Sequence, residues 1–191
     1  MGNNVANVTT GKPKVGGAIY RAPKGTTLPT TATEELNSAF KCLGYVSEDG
    51  FVNTNSPEIE TIKAWGGEIV LTPITEKADR FAFTLIEATS VDVLKSVYGD
   101  DNVSGTLESG ITVRANAKEI AESVYVCDML LKGGVAKRIV APNASLTELG
   151  DISYKDNEAI GYAKTVTCKS GGFGAGDDDT HKEYIVAPST T

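Results

Sequence analysis

The sequence has little of the chemistry on which enzymes and metal proteins usually depend. It contains one histidine, one tryptophan and three cysteines in 191 residues. Cys42, Cys127 and Cys168 are widely separated and odd in number, which indicates neither metal-ligand spacing nor a complete disulfide framework. We therefore expect reduced, mostly buried thiols, no metal and no cofactor, in a protein that stays in a cytosol.

Long hydrophobic runs and a positive net charge are also missing. No apolar run approaches the roughly 18 residues that span a bilayer, and the first residues lack the apolar stretch of a secretory signal. The net charge of −7 argues against sequence-independent binding of nucleic acids, which needs a basic surface. These absences predict a globular protein without a membrane span or a nucleic-acid interface.

The segment most suggestive of a site is KSGGFGAGDDDTH, residues 169–181. Its glycine spacing does not match a dinucleotide fingerprint, and it lacks the alternating ligands of a calcium-binding helix–loop–helix. Adventitious calcium binding by Asp177, Asp178 and Asp179 is the alternative. Strand-like sequences flank the segment, so we interpret it as a glycine-rich hairpin tip, and His181 as a surface residue rather than a general base.

Residues 1–25 are predicted to form a flexible basic arm, followed by a single β domain over 26–191. The arm is rich in glycine, has no hydrophobic periodicity and contains no acidic residue. We expect its cations to dock on the acidic body of an adjacent copy of the chain. These cations are Lys12, Lys14, Arg21 and Lys24.

Two short helices are predicted. Thr31 and Glu34 have the spacing of a capping box, which would start a helix that ends before Gly44. Ser90 and Gly99 bracket the second helix, whose apolar residues share one face. The remaining pattern favours strands, including one over 67–75, a hairpin that turns at 133–134, strands over 152–156 and 159–169, and a last strand over 181–187.

The segment 45–67 is rich in turn-forming residues and is predicted to protrude, either as a long loop or as a strand pair with an extended excursion. The strand over 80–87 that follows is apolar on both faces, which indicates a central strand or one that meets a partner. We assign side chains from both segments to contacts between copies. They are Tyr45, Glu48, Asp49, Phe51, Trp65, Phe81 and Phe83.

Several segments, in order, resemble the major tail proteins of bacteriophages with long non-contractile tails. They are APKGTTLPTTATEELNSAFKCLGYVSEDG, NSPEIETIKAWGGEIVLT, FTLIEATSVDVLKSVYGDDNVSG, LKGGVAKRIV and LGDISYKDNEAIGYAKTVTC. The resemblance implies a mainly β fold with one or two short helices, a β-sandwich or barrel-like domain with an extended loop and terminal arms. It carries no catalytic residues and no cofactor.

The resemblance also implies how such a protein works. Six copies form a ring, and the rings stack into a tail tube that conducts the genome into the host. The implied partners are a tape-measure protein in the lumen, terminator and distal tail proteins at the tube ends, and DNA that passes without specific binding. The tube is assembled in the host cytoplasm. The alternative is a β-sandwich module that binds carbohydrate or the host surface through Trp65 and loop tyrosines.

Overall fold

The computed structural model describes residues 2–188, which are mainly β, as expected, with a single α-helix among them. That helix is α1 (Val91–Tyr98). The strands are β1 (Gly11–Pro13), β2 (Ile19–Pro23), β3 (Lys41–Cys42), β4 (Val46–Thr54), β5 (Pro57–Ile59), β6 (Ile62–Lys63), β7 (Ile69–Leu71), β8 (Ile74–Lys77), β9 (Asp79–Leu85), β10 (Val103–Ser104), β11 (Thr112–Val113), β12 (Ser123–Leu131), β13 (Ala136–Leu149), β14 (Tyr162–Cys168) and β15 (Lys182–Val186).

Nine strands form one antiparallel sheet in the order β3-β2-β12-β13-β14-β9-β4. β1 lies beyond β2 along the same edge of β12, and β15 lies beyond β14 along the same edge of β13. Three two-stranded pairs, β5-β8, β6-β7 and β10-β11, lie outside this sheet. The sheet is not closed into a barrel.

The sheet bends over its own inner face. The ring centroids of Phe83 on β9 and Tyr125 on β12 are 6.2 Å apart, although β14 and β13 lie between these strands in the sheet. In a flat sheet, strands three places apart would be separated by about 14 Å. The bend therefore encloses a core, to which Phe81, Ile139 and Val166 also contribute.

Helix α1 covers part of this core and confirms the sequence prediction. Val93, Leu94 and Val97 are buried on its inner face. Ser90 occupies the N-cap position, and Gly99 takes a positive φ of 96° just after the last helical residue. The helix forms where the sequence places it, although the Ser90 side chain makes no capping hydrogen bond.

The helix predicted to start at Thr31 is absent, and that prediction was wrong. The Thr31 Oγ1 atom still accepts a hydrogen bond from the Glu34 amide at 3.1 Å, as in a capping box. However, Nη1 of Arg138 donates to the carbonyls of Thr31 at 3.0 Å and Glu34 at 2.7 Å. The segment instead runs as an irregular chain whose Leu36 and Phe40 pack on the outer face of the sheet, against Val126.

The β-hairpin predicted to turn at 133–134 is confirmed as β12 and β13. The short strand expected over 152–156 does not form. The arm expected over 1–25 is also shorter than predicted, because Ile19 and Ala22 of β2 are buried in the sheet. Of this region, residues 2–16 lie exposed, including strand β1, which pairs with β12.

The glycine-rich segment 169–181 does not form the expected hairpin tip. The strands on either side of it, β14 and β15, each pair with β13 and follow one another along the same edge of that strand. The segment is thus an excursion between two strands that run in line. The Asn143 side chain donates to the Gly171 carbonyl at 2.8 Å and so ties the start of the excursion to β13.

Candidate assembly surfaces

Residues 55–78 form one antiparallel hairpin, which we call the hairpin arm. Strands β5 and β6 lead to its turn, and strands β7 and β8 return from it. It continues the β4-β9 pair away from the sheet, with Ile59 opposite Ile74 and Ile62 opposite Leu71. The turn at 64–67 contains two glycines with positive φ, and Trp65 lies there fully exposed. The excursion expected over 45–67 therefore accounts for only the first strand of the arm; its second strand follows the turn.

Large apolar side chains of the hairpin arm lie in solvent. Every residue from 52 to 72 is exposed, and the apolar ones at issue have 44% to 62% of their surface accessible. They are Ile59, Ile62, Ile69, Leu71 and Ile74. An isolated two-stranded hairpin is only marginally stable in water, and a contiguous exposed apolar patch marks an interaction site. The exposure of these apolar side chains is typical of a surface that contacts another molecule.

The residues assigned to contacts between copies separate into two groups. Tyr45, Glu48 and Asp49 are exposed, as is Trp65. Phe51 is half-buried, and its ring centroid lies 4.8 Å from that of Phe81.

Phe81 and Phe83 are not surface residues, and their assignment to an interface was wrong. Only 1% and 4% of their surfaces are accessible, because the bent sheet turns this face of β9 inwards. The opposite face of β9, which carries Ala82 and Thr84, is half-buried. The apolar character of both faces thus reflects a central strand.

The basic residues near the N-terminus form ion pairs within the same chain. The guanidinium of Arg21 binds the Asp100 carboxylate through two hydrogen bonds of 2.9 and 2.7 Å, and Lys24 Nζ lies 2.6 Å from Glu122. Lys14 Nζ lies 3.4 Å from the buried Asp128 carboxylate, whereas Lys12 is exposed. Three of the four cations are therefore held by this chain's own acids, and electrostatic docking of the arm onto a neighbour has a weaker basis than the sequence indicated.

His181 is not the surface residue expected from the sequence. Its Nδ1 atom lies 2.5 Å from Oδ2 of Asp79, whose carboxylate is buried and also accepts from Thr180 Oγ1 at 2.6 Å and Asn53 Nδ2 at 2.8 Å. The hydrogen bond to Asp79 raises the pKa of His181. Burial alone would raise the pKa of Asp79, but the hydrogen bonds outweigh it and lower that pKa. These hydrogen bonds connect the end of the glycine-rich segment, at Thr180 and His181, to the base of the hairpin arm, where strand β9 begins.

The aspartates before His181 also have a structural explanation. Lys182 forms ion pairs with Asp177 and with Asp179, and the Asp177 carboxylate accepts from the Asp179 amide at 2.9 Å.

Across residues 2–188 no group of three histidine, cysteine, aspartate or glutamate side chains is arranged to hold a metal ion. In the same range no helix is long and apolar enough to cross a membrane.

The sequence analysis missed a buried ion pair in the centre of the sheet. Arg138 donates from Nε and Nη2 to the two carboxylate oxygens of Asp128 at 2.6 and 2.7 Å, and both side chains are almost fully buried. A signal was available, because a hairpin that turns at Gly133 places residue 128 opposite residue 138.

A buried lysine was missed as well. Lys164 Nζ donates to the Ser96 carbonyl at 2.7 Å and to Tyr125 Oη at 3.1 Å, and no carboxylate among the described residues pairs with it. Burial, assisted by the charge of Arg21, lowers the pKa of Lys164 to about 7. A local signal was available, because the alternation of strand β14 places Lys164 on the same buried face as Tyr162 and Val166.

The chain folds into an open, bent sheet from which an apolar hairpin projects. Comparison with curated proteins gives no match. A family model described as "Phage tail tube protein" matches residues 1–171, which is most of the chain. The chain belongs to the phage tail tube protein family.

Proposed function

We propose that this chain is the repeating subunit of a tail tube, in which hexameric rings stack to enclose the channel for genome ejection. The observation that supports the proposal best is the hairpin arm, whose apolar side chains have no cover within the described chain. In the proposed tube, the arm reaches a neighbouring subunit and its apolar surface is buried there.

The total accessible surface agrees with a subunit of an obligate assembly. The chain exposes 12238 Å², whereas a compact monomer of this size exposes about 8,700 Å². The excess, about 3,500 Å², lies in the range that permanent protein–protein interfaces bury.

The edges of the sheet supply a second kind of contact. In the part of the chain that is described, β15 pairs only with β13, so its outer edge is open, and Ile185 and Val186 are exposed. β3 and β4 are the strands at the two ends of the sheet. Open edges pair readily with a strand of another chain, and a head-to-tail contact of this kind that closes on itself gives a ring.

The net charge of −7 agrees with a conduit for DNA. A lumen lined by acidic subunits would repel phosphates within about 8 Å at physiological ionic strength, so that DNA slides rather than adheres. In this proposal a tape-measure protein occupies the lumen during assembly, terminator and distal tail proteins bind the ends of a long non-contractile tail, and assembly takes place in the host cytoplasm.

Complementation of a phage that lacks this gene tests the proposal. We expect tailless heads without the chain, full-length tails when the wild-type chain is supplied, and no tails when residues 57–77 are replaced by a short glycine–serine turn. Electron microscopy of the lysates measures tail length. Near-UV circular dichroism of the purified variant checks that the body of the protein remains folded. Normal tails in the absence of the chain would contradict the proposal.

A further inference from the structure

We infer that the protonated imidazole of His181 fixes the direction in which the hairpin arm leaves the sheet, and that loss of this proton frees the arm to pivot. The inference is carried by four side chains at the base of the arm, which we call the Asp79 cluster: Asn53, Asp79, Thr180 and His181. It rests on the proposed function only for its consequence in assembly, and it adds to that function a condition under which the subunit assembles readily.

Cross-strand pairing is interrupted at the base of the hairpin arm. β4 pairs with β9 as far as Thr54 and Arg80, and β5 pairs with β8 from Pro57 and Lys77 onward. The two residues that lie between these pairs on each strand have no partner across the hairpin within the described chain. Hinges consist of a few residues of this kind at the ends of elements. Backbone pairing therefore leaves the direction of the arm open, and side-chain contacts at the break decide it.

The Asp79 cluster spans this break with side chains from three parts of the chain. Asp79 is the first residue of β9, and only 1% of its surface is accessible. Its carboxylate accepts from Asn53 of β4 at 2.8 Å and from Thr180 at 2.6 Å, and His181 Nδ1 lies 2.5 Å from Oδ2. The His181 ring also packs edge-on against Phe81, with the ring centroids 5.2 Å apart. One carboxylate thus joins both strands at the base of the arm to the segment that leads into β15.

His181 is the member of the cluster that changes its charge near neutral pH. Its hydrogen bond to Asp79 raises the pKa of His181 above the ordinary value of about 6.5, although burial opposes the rise. Glu183 and Lys137 also lie near the ring, act on its pKa in opposite directions and pair with each other at 2.8 Å. Burial raises the pKa of the Cys168 thiol, which faces Asp79, to about 12, so this thiol stays neutral. The charge of the cluster near neutral pH is therefore set by His181.

The signs of the pKa shifts give the pH range. A histidine whose pKa is raised on folding contributes its full stabilisation below about pH 6.5 and loses it as the pH rises through the folded value. Asp79, whose pKa is lowered, contributes above about pH 3.9 and loses its contribution as the pH falls through its own folded value. The charged pair is therefore complete from about pH 4 to about pH 6.5. At alkaline pH a neutral hydrogen bond remains, and such a bond is roughly half as strong.

The titration of His181 can be measured directly, because it is the only histidine in the chain. NMR of the imidazole in the unassembled wild-type protein needs no variant. We expect a pKa above the ordinary value of about 6.5, and a lower pKa in Asp79→Asn. A wild-type pKa at or below the ordinary value would overturn the inference.

Distances between spin labels measure the direction of the arm. Trp65→Cys places one label at the tip of the arm and Lys118→Cys places one on the body, both at exposed positions, in a background with Cys42→Ser. Pulsed electron paramagnetic resonance of the unassembled chain is expected to give a narrow distance distribution at about pH 6 and a broad one at about pH 8.5. His181→Asn, which keeps a neutral donor, is expected to give a broad distribution at both. Equal distributions at the two pH values with His181 in place would overturn the inference.

Assembly supplies the functional readout, with Glu183→Gln as the control that removes a nearby charge outside the cluster. Between these pH values the protein concentration needed for assembly is expected to rise about fivefold in the wild type and the control, relative to the change in His181→Asn. A factor of five is about 1 kcal/mol, the usual difference between a charge-assisted and a neutral hydrogen bond. An equal rise in His181→Asn would overturn the inference. Failure of the wild-type chain to restore tails would instead overturn the proposed function, because the titration and the distances are measured on unassembled protein.

Discussion

Replacement of Arg138 by methionine is expected to lower the free energy of unfolding by about 3–5 kcal/mol, because it leaves a buried carboxylate without its partner. The guanidinium binds both oxygens of Asp128, and it also holds the carbonyls of Thr31 and Glu34. Domains of this size have a total stability of about 5–15 kcal/mol, so the variant would lose a large part of it. The irregular segment 26–40 would lose its attachment to the sheet at the same time.

Urea denaturation of the unassembled protein measures this effect. Lys137→Gln is the matched control, because it removes the neighbouring but partly exposed pair with Glu183 and is expected to change stability by less than about 1 kcal/mol. The double variant Asp128→Leu with Arg138→Met removes both charges and is expected to recover part of the loss. An Arg138→Met variant as stable as the control would contradict the description of this pair as structural.

Replacement of Lys164 by methionine is expected to remove a pH dependence from the stability of the protein. The pKa of Lys164 is about 7 in the folded chain, whereas an unfolded lysine titrates near 10.4. Between these values the unfolded state binds more protons than the folded state, so the stability of the wild type rises with pH in this range. Below pH 7 both states are protonated, and the folded state has the full cost of a buried cation.

The size of the effect follows from the same shift. Between pH 7 and pH 9 the titration of Lys164 is expected to add about 2 kcal/mol to the stability of the wild type and nothing to that of Lys164→Met. Chemical denaturation at both pH values measures the difference, with Lys118→Met as the control for an exposed lysine. Identical pH slopes for the wild type and the Lys164 variant would show that this amine is not desolvated in the fold.

Elements that depend on neighbouring residues in the sequence could be predicted from it. Helix α1 needs only an apolar face, Ser90 before it and Gly99 after it, and all three lie within one short segment. The hairpin of β12 and β13 likewise needs only alternating residues on both sides of a glycine turn. Both elements form where the sequence places them.

Elements that depend on contacts with residues far away in the sequence could not be predicted. One of the two hydrogen bonds of the capping box forms, from the Glu34 amide to Thr31, but the carbonyls of these two residues are bound by Arg138, which lies 107 residues beyond Thr31 in the chain. Phe81 was assigned to an interface because both faces of its strand are apolar, and only the bend of the sheet shows that its side chain is internal. The second strand of the hairpin arm was predicted as a strand over 67–75, but its pairing with residues 57–63 was not, because the register depends on two bulges that no local pattern indicates.

The candidate assembly surface was predicted in position but not in composition. Trp65 lies at the tip of a projecting element, as its glycine neighbours indicate, whereas each apolar pair of the arm joins one residue of the predicted loop over 45–67 to one of the predicted strand over 67–75. A protruding loop and a protruding hairpin share the same turn signals. Isoleucine is common both on contact surfaces and in core strands, so these residues do not show from the sequence which of the two they form.

Immunogold labelling of the purified virion is the most direct measurement of the central claim, that copies of this chain assemble with one another into the hollow tail shaft. Antibodies raised against the folded chain are applied to intact particles and viewed by electron microscopy. The account predicts gold along the whole length of the tail shaft at a regular spacing. Gold confined to the tail tip, or a shaft without label, would contradict it.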